Sequence, residues 1–201
     1  MGHTRKANVH PRLLTSLTDP YRRKVTAEDL FHYVYAILQT PIYRTTYADF
    51  LRIDFPRIPF PTERSAFEAM AALGERLVAL HLLDSSELDP PNVRFEGEGD
   101  NRVAGKKTDG FGYNPDGESV GINRSQRFAR IPPALWNYRI GGYQVLEKWL
   151  KDRKGRRLST DDIQTYCRIA TALARTMEIQ AELDDLYPAV EENPLEMRLG
   201  K

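Results

Sequence analysis

Between residues 90 and 131 the helical spacing of apolar residues that runs through both ends of this chain stops, and Gly, Asn, Asp and Val take over. This change constrains the fold more than any other feature, because a 3.6-residue pattern and a turn-rich pattern cannot share one type of element. Short segments at 93–96, 102–104, 119–123 and 127–131, separated by turn residues, predict a small antiparallel sheet or set of hairpins. The region is too polar to fold alone, so it is expected to pack on helices and present its turns outward. The fold class is therefore α+β, mainly helical with a small antiparallel β insertion in the middle: helical over 9–84, β-rich over 90–131 and helical again over 132–187. With 201 residues and 41% hydrophobic content the chain can bury one sizeable core, which gives a single domain over 1–187 and an acidic tail, 188–201, expected to be mobile.

The helices announce themselves by their starts and stripes. Thr26 and Asp29 form a capping pair ahead of a helix to about Gln39, whose apolar face is expected to carry Leu30, Phe31, Val34, Ile37 and Leu38. Pro41 opens a second helix bearing Tyr43, Tyr47, Phe50 and Leu51. The three prolines Pro56, Pro59 and Pro61 make the following segment extended, and its apolar residues pin it to the core. A long helix over 62–83 follows, with Phe67, Met70, Ala71, Gly74, Leu77, Val78 and His81 in its stripe. Near the other end, Ser159 and Asp162 cap a helix whose stripe is Ile163, Tyr166, Cys167, Ala170, Leu173, Ala174 and Met177; Pro188 ends the order that the pattern predicts. Leu13, Leu14 and Leu17 fit a short helix near the N-terminus, and Met1, Gly2 and His3 read as an expression remnant.

The densest stretch lies at 132–157. It combines an aromatic-rich helical turn, a hinge at Gly141 and Gly142, and a basic amphipathic helix on which Tyr143, Leu146, Trp149 and Leu150 form one face. Cationic residues crowd its end, while the chain from Leu158 onward is mostly acidic. The net charge of +1 gives no global field, so binding to a polyanion must rest on this local segregation.

Catalytic and cofactor signals fail one by one. The segment Gly105-Lys106-Lys107-Thr108 lacks both the earlier glycine and the hydroxyl position of a phosphate-binding loop. Asp109 to Gly112 reads as a turn, no nucleophile elbow is present, and the histidines lack metal-ligand spacing. The single cysteine, Cys167, falls on an apolar stripe and is expected to fill core. No catalytic residue, metal or cofactor is assigned. The absence of a long apolar run and of a signal-like N-terminus points to a cytoplasmic protein without a membrane partner.

What remains is binding chemistry. Lys148, Lys151 and the basic residues 153–157 suit phosphate neutralisation, which is sequence-blind and salt-sensitive. Asn123, Arg124, Gln126 and Arg127 are side-chain types that read base edges, Arg with guanine and Asn or Gln with adenine. The same residues also fit an ordinary solvated surface.

The run WNYRIGGYQVLEKWLKDRKGRRLSTDDIQTYCRIATAL, with TAEDLFHYVYAILQTPIYRTTYADFLRIDFPRIPFP upstream, resembles the C-terminal specificity region of type ISP restriction-modification enzymes. The resemblance covers roughly 9–183. In that family one polypeptide joins a nuclease, a helicase-like ATPase, an adenine methyltransferase and this target-recognition domain. The resemblance implies a non-enzymatic module that recognises double-stranded DNA and positions the methyltransferase and helicase-nuclease modules of its system. On that basis Lys106, Lys107, Asn123, Arg124, Gln126 and Arg127 are expected to face the groove, and Lys148, Lys151, Lys154, Arg156 and Arg157 to hold phosphates. An alternative is a protein-interaction module that docks a methyltransferase or motor without reading bases.

Overall fold

The computed structural model describes residues 8–196, and the assignments made to Met1, Gly2 and His3 lie outside them. The elements run α1 (Pro11–Tyr21), α2 (Ala27–Gln39), α3 (Pro41–Thr46), α4 (Arg64–His81), β1 (Arg94–Glu96), β2 (Gly112–Asn114), β3 (Ser119–Gly121), β4 (Arg127–Ala129), α5 (Pro133–Trp136), β5 (Arg139–Ile140), β6 (Tyr143–Gln144), α6 (Val145–Lys151) and α7 (Thr160–Glu191). The fold is α+β and mainly helical, with a small antiparallel sheet. The residues fall into two compact units: one of residues up to Ala79 together with those from Glu178 on, the other Leu80–Met177. No helix among the described residues is long and apolar enough to cross a membrane.

The first unit is organised by tyrosines. Thr26 and Asp29 form the expected reciprocal cap of α2. Burial works to raise the Asp29 pKa, but the hydrogen bonds from the Thr26 amide and hydroxyl, with the charge of Arg23, outweigh it and hold the carboxyl below its usual value. The buried face of α2 keeps Leu30 and Ile37 of the expected stripe but adds Tyr33 and Ala36, while Phe31 is 54% exposed. Tyr33 takes the inner position because its ring stacks on Phe60 and Phe67 while its hydroxyl finds the Pro59 carbonyl at 2.5 Å. Tyr21 and Tyr43 donate in the same way to Pro61 O (2.7 Å) and Arg57 O (3.0 Å), so three phenols hold the proline-rich segment in its extended form. The α2 and α4 backbones meet at Gly74, where an added Cβ would fall 1.9 Å from the His32 carbonyl oxygen. Only glycine permits that approach.

Order does not stop at Pro188. Helix α7 runs on to Glu191, and the chain beyond it pairs with the proline-rich segment through Thr62 N–H to Asn193 O (3.0 Å) and Leu195 N–H to Phe60 O (2.6 Å). The segment expected to be a mobile tail thus makes an isolated antiparallel bridge, Pro194 with Pro61; its residues 197–201 lie outside the described ones.

In the second unit the sheet order is β1-β4-β3-β2, antiparallel throughout. Alternation puts Phe95, Phe128, Val120 and Tyr113 in one cross-strand row. This row is the packed face: Phe128 lies 4.1 Å from the Tyr166 ring centroid, and Tyr113 stacks on Trp136 at 4.9 Å. Leu146, Leu150, Leu158, Tyr166, Cys167, Ala170 and Leu173 complete the core. Burial pushes the Cys167 thiol up to about 11, consistent with a core-filling role. His81 ends α4 with its Nε2 3.0 Å from the Thr176 hydroxyl, and burial lowers its pKa.

The sequence pattern misses strand β2, which follows the turn expected over Asp109 to Gly112 and in which only Tyr113 is apolar. The stretch at 139–144 is a β-hairpin rather than a hinge between helices, with Gly141 and Gly142 at φ 55° and 90°, as a two-residue type I′ turn requires. Tyr143 therefore stands on a strand and is 65% exposed, and does not share a helix face with Leu146, Trp149 and Leu150. Gln144 closes the hairpin by capping α6 through Glu147 N–H and by donating to the Trp136 carbonyl.

Candidate nucleic-acid interface

Residues 101–104 lace together pieces of chain that are far apart in sequence. Val103 N–H donates to Arg156 O (2.9 Å), Gly155 N–H to Val103 O (2.8 Å) and Leu158 N–H to Asn101 O (2.9 Å), which fastens the basic turn that follows α6. On the other side Ala104 N–H donates to Ile122 O (2.7 Å) and the Asn123 amide to Arg102 O (3.1 Å), which fastens the loop between β3 and β4. The turn before β2 presses on that same loop: a Cβ at Gly110 would fall 2.5 Å from the backbone of Asn123 and Arg124. Lys154 Nζ completes the circuit, 4.7 Å from the centroid of the Phe111 ring. The basic turn and the β-region cluster thus belong to one continuous surface. It contains a concavity of about 360 Å³ lined by Asp100, Arg102, Ala104, Asp109, Asn123, Arg124 and Ser125.

The individual residues sort by what already engages them. Gln126 is only 3% exposed. Its Oε1 accepts from Asn101 N–H (2.8 Å) and the Asn123 amide (3.0 Å), and its Nε2 donates to Asn101 Oδ1 (2.7 Å). It is buried within the loop and holds it together. Asn123 is similarly committed: its Oδ1 accepts from the Ser125 and Gln126 amides (3.0 and 2.8 Å), an Asx-type turn that shapes the loop.

Arg124 and Arg127 are exposed, each beside a carboxylate. Arg124 donates to Thr108 O (3.3 Å) and lies 3.6 Å from Asp109; Arg127 bonds Glu96 through both Nε (3.2 Å) and Nη2 (2.9 Å). Lys106 and Lys107 are exposed on the turn before β2, and Lys154, Arg156 and Arg157 on the turn after α6. Lys148 and Lys151 differ, since they pair along α6 with Asp152 and Glu147 at i,i+4 spacing (2.5 and 2.8 Å). Arg153 is held by Trp149, 3.5 Å beneath its guanidinium, and by Asp162 at 3.5 Å. Hydrogen bonds from the Ser159 amide and hydroxyl, together with Arg153, hold the Asp162 carboxyl below its usual value although burial opposes them.

One cation of this surface escapes the sequence reading. Arg102 alternates with the buried Val103, which turns its side chain outward, and it donates to Gly155 O at 3.0 Å. The alternation in 102–104 is the signal that marks it.

Comparison with known proteins now bears on this surface. Residues 1–182 match the model of the type ISP C-terminal specificity domain. The chain belongs to this family. Among solved structures, the specificity domain is similar to the DrdV–DNA complex, with TM-score 0.60 and 27% identity over 98% of this chain and 21% of that one. It is also similar to a nuclease-deletion mutant of the type ISP restriction-modification enzyme LlaGI in complex with a DNA substrate mimic, with TM-score 0.57 and 22% identity over 80% of this chain and 14% of that one. A third is the ATP-dependent type ISP restriction-modification enzyme LlaBIII bound to DNA, with TM-score 0.58 and 18% identity over 94% of this chain and 12% of that one. At these identities LlaGI and LlaBIII establish likeness of fold alone. The specificity domain spans between 12% and 21% of the length of these three polypeptides. No curated protein matches it.

Proposed function

We propose that this specificity domain recognises double-stranded DNA for a cytoplasmic restriction-modification system, and that it positions an adenine methyltransferase and a helicase-nuclease on the target without catalysing a step itself. The observation that carries this reading is the convergence, in a member of this family, of the 106–109 and 123–127 loops with the 154–157 turn on one cation-bearing surface. The three similar structures hold DNA or a DNA substrate mimic, which supports the same reading. Within it Lys106, Lys107, Lys154, Arg156 and Arg157 hold phosphates, and Arg124, Arg127 and Arg102 reach base edges. The i,i+4 pairs of Lys148 and Lys151 make those two the weakest of the expected phosphate ligands.

The test is duplex binding as a function of salt. Reversing Lys106, Lys107, Arg156 and Arg157 together to Glu is expected to weaken binding to all duplexes alike. The slope of log affinity against log salt is expected to fall by about 0.9 for each phosphate that is no longer neutralised. Affinity and slope unchanged by the four reversals would overturn the reading.

A second reading, docking of a protein module, draws on a different place. Ile53 and Phe55 are 84% and 85% exposed, near an apolar concavity lined by Tyr43, Tyr47, Phe50, Arg57, Ile58 and Pro59. It predicts that Phe55→Ser abolishes co-purification with a methyltransferase while leaving duplex affinity intact.

A further inference from the structure

Two of the three arginines proposed to reach base edges, Arg124 and Arg127, lie beside carboxylates from other elements, which assigns a role to those neighbours. Glu96 and Arg127 are directly opposite each other on β1 and β4, on the sheet face turned away from Phe95 and Phe128. The same row continues through Gly121 of β3 and Gly112 of β2. Over Gly121 lies the Gly110 carbonyl, which an added Cβ would meet at 2.2 Å, so the 107–110 turn with Asp109 and Arg124 caps the row that Arg127 begins. Both arginine–carboxylate pairs therefore border one outer face.

Exposed ion pairs contribute little to stability, and these are exposed, with side-chain accessibilities of 58% and 43% for Arg127 and Glu96 and of 78% and 51% for Arg124 and Asp109. For a phosphate clamp the carboxylates are counterproductive, since each cancels the attraction of the cation beside it. For a base reader they are useful. A guanidinium has five N–H donors in a fixed planar fork. Glu96 Oε2 engages the Nε–H and one Nη2–H of Arg127. The end of the fork, with one hydrogen from each Nη, is left pointing away from the carboxylate. That end-on pair of donors matches the O6 and N7 acceptors of guanine in the major groove.

We infer that Glu96 and Asp109 are specificity-positioning residues: Glu96 holds the side of the Arg127 fork so that its end is presented to a guanine edge, and Asp109, 3.6 Å from Arg124 Nη2, draws Arg124 toward the same face. The exposed cations Lys106, Lys107, Arg156 and Arg157 supply the sequence-blind grip. The inference rests on the DNA-reading function proposed above, and the two fail differently.

The experiment takes the full chain and selects a preferred duplex from a pool with a randomised centre, then measures affinity for that duplex and for unselected pool. Glu96→Gln keeps size and removes the charge. It is expected to lower the selected-to-random affinity ratio about tenfold, with affinity for random duplex unchanged or raised and the melting temperature unchanged; Asp109→Asn is expected to act likewise. In an Arg127→Ala background the Glu96→Gln effect on the ratio is expected to vanish, since the residue to be positioned is gone. Arg127→Lys, which keeps the charge and loses the fork, is expected to lower the ratio as Arg127→Ala does. If Glu96→Gln raises affinity for both duplexes equally and leaves the ratio unchanged, the carboxylates only repel DNA and the inference is wrong. An effect of Glu96→Gln that persists in the Arg127→Ala background overturns it too. A wild-type chain that binds no duplex overturns the DNA reading itself, and the positioning role with it.

Discussion

Replacing Gln126 by Leu separates a structural amide from a base-reading one. The substitution keeps approximate volume, so the cavity contribution is small, but it removes three hydrogen bonds: from Asn101 N–H at 2.8 Å, from the Asn123 amide at 3.0 Å and to Asn101 Oδ1 at 2.7 Å. At about 1 kcal/mol net for each bond, and with the orphaned groups of Asn101 and Asn123 only partly rehydrated, the loss is about 2–4 kcal/mol. Both tryptophans of the chain, Trp136 and Trp149, lie in the unit that contains Gln126, so urea unfolding followed by tryptophan fluorescence reports on that unit. The expected result is a lower midpoint at unchanged m-value. Base preference in the surviving folded fraction is expected to resemble the wild type at low temperature. A Gln126→Leu protein within about 0.5 kcal/mol of wild type, but with altered sequence preference, would show that the amide faces the groove after all.

Two further outcomes follow from the same loops and caps. Gly110→Ala places a Cβ at φ 88° and 2.5 Å from the Asn123–Arg124 backbone, so a loss of about 1–3 kcal/mol is expected in the same fluorescence assay, whereas Gly105→Ala, with nothing within 4 Å, is expected to be neutral. The lowered pKa of Asp162 means that the unfolded chain takes up its proton first as pH falls. Its contribution is therefore fully present above the ordinary carboxylate value near 3.9 and is lost as pH drops through the lower folded value. In urea titrations between pH 6 and pH 2 the stability gap between wild type and Asp162→Asn is expected to narrow over that acid interval, and a constant gap would refute the assignment.

Local signals in the chain are sufficient where one residue's neighbours in sequence are also its partners in space. The caps at Thr26 and Ser159 are of this kind, each with its carboxylate three residues on. So is the stripe of α7, since Tyr166, Cys167, Ala170 and Leu173 all reach the core. Expectation and structure part where the deciding partner is distant. Tyr33 replaces Phe31 on the buried face of α2 because a carbonyl at Pro59 is available to its hydroxyl, and helical spacing alone cannot rank the two. In β2, Tyr113 is fixed by Trp136 and by the Ile131 carbonyl, neither of which is nearby in sequence. The glycine pair at 141–142 serves equally as a helix stop or a type I′ turn, and the apolar residues around it fit either period.

The same distinction explains how far the interface is legible in the sequence. A sequence gives charge residue by residue, but what matters to a phosphate or a base is charge left after pairing. For Lys148 and Lys151 the pairing is visible, because Asp152 and Glu147 sit four residues away on a helix, and that spacing alone lowers their rank as phosphate ligands. For Arg127 and Arg124 it is not, because Glu96 and Asp109 come from other elements and meet them only through the register of β1 with β4 and the packing of Gly110 on the loop. Asn123 and Gln126 have the right donors and acceptors for adenine, yet Asn101 and the loop backbone occupy them first. A residue type suited to reading DNA therefore identifies a candidate, and the partner already holding it decides whether it anchors the loop, grips the backbone or is aimed at a base.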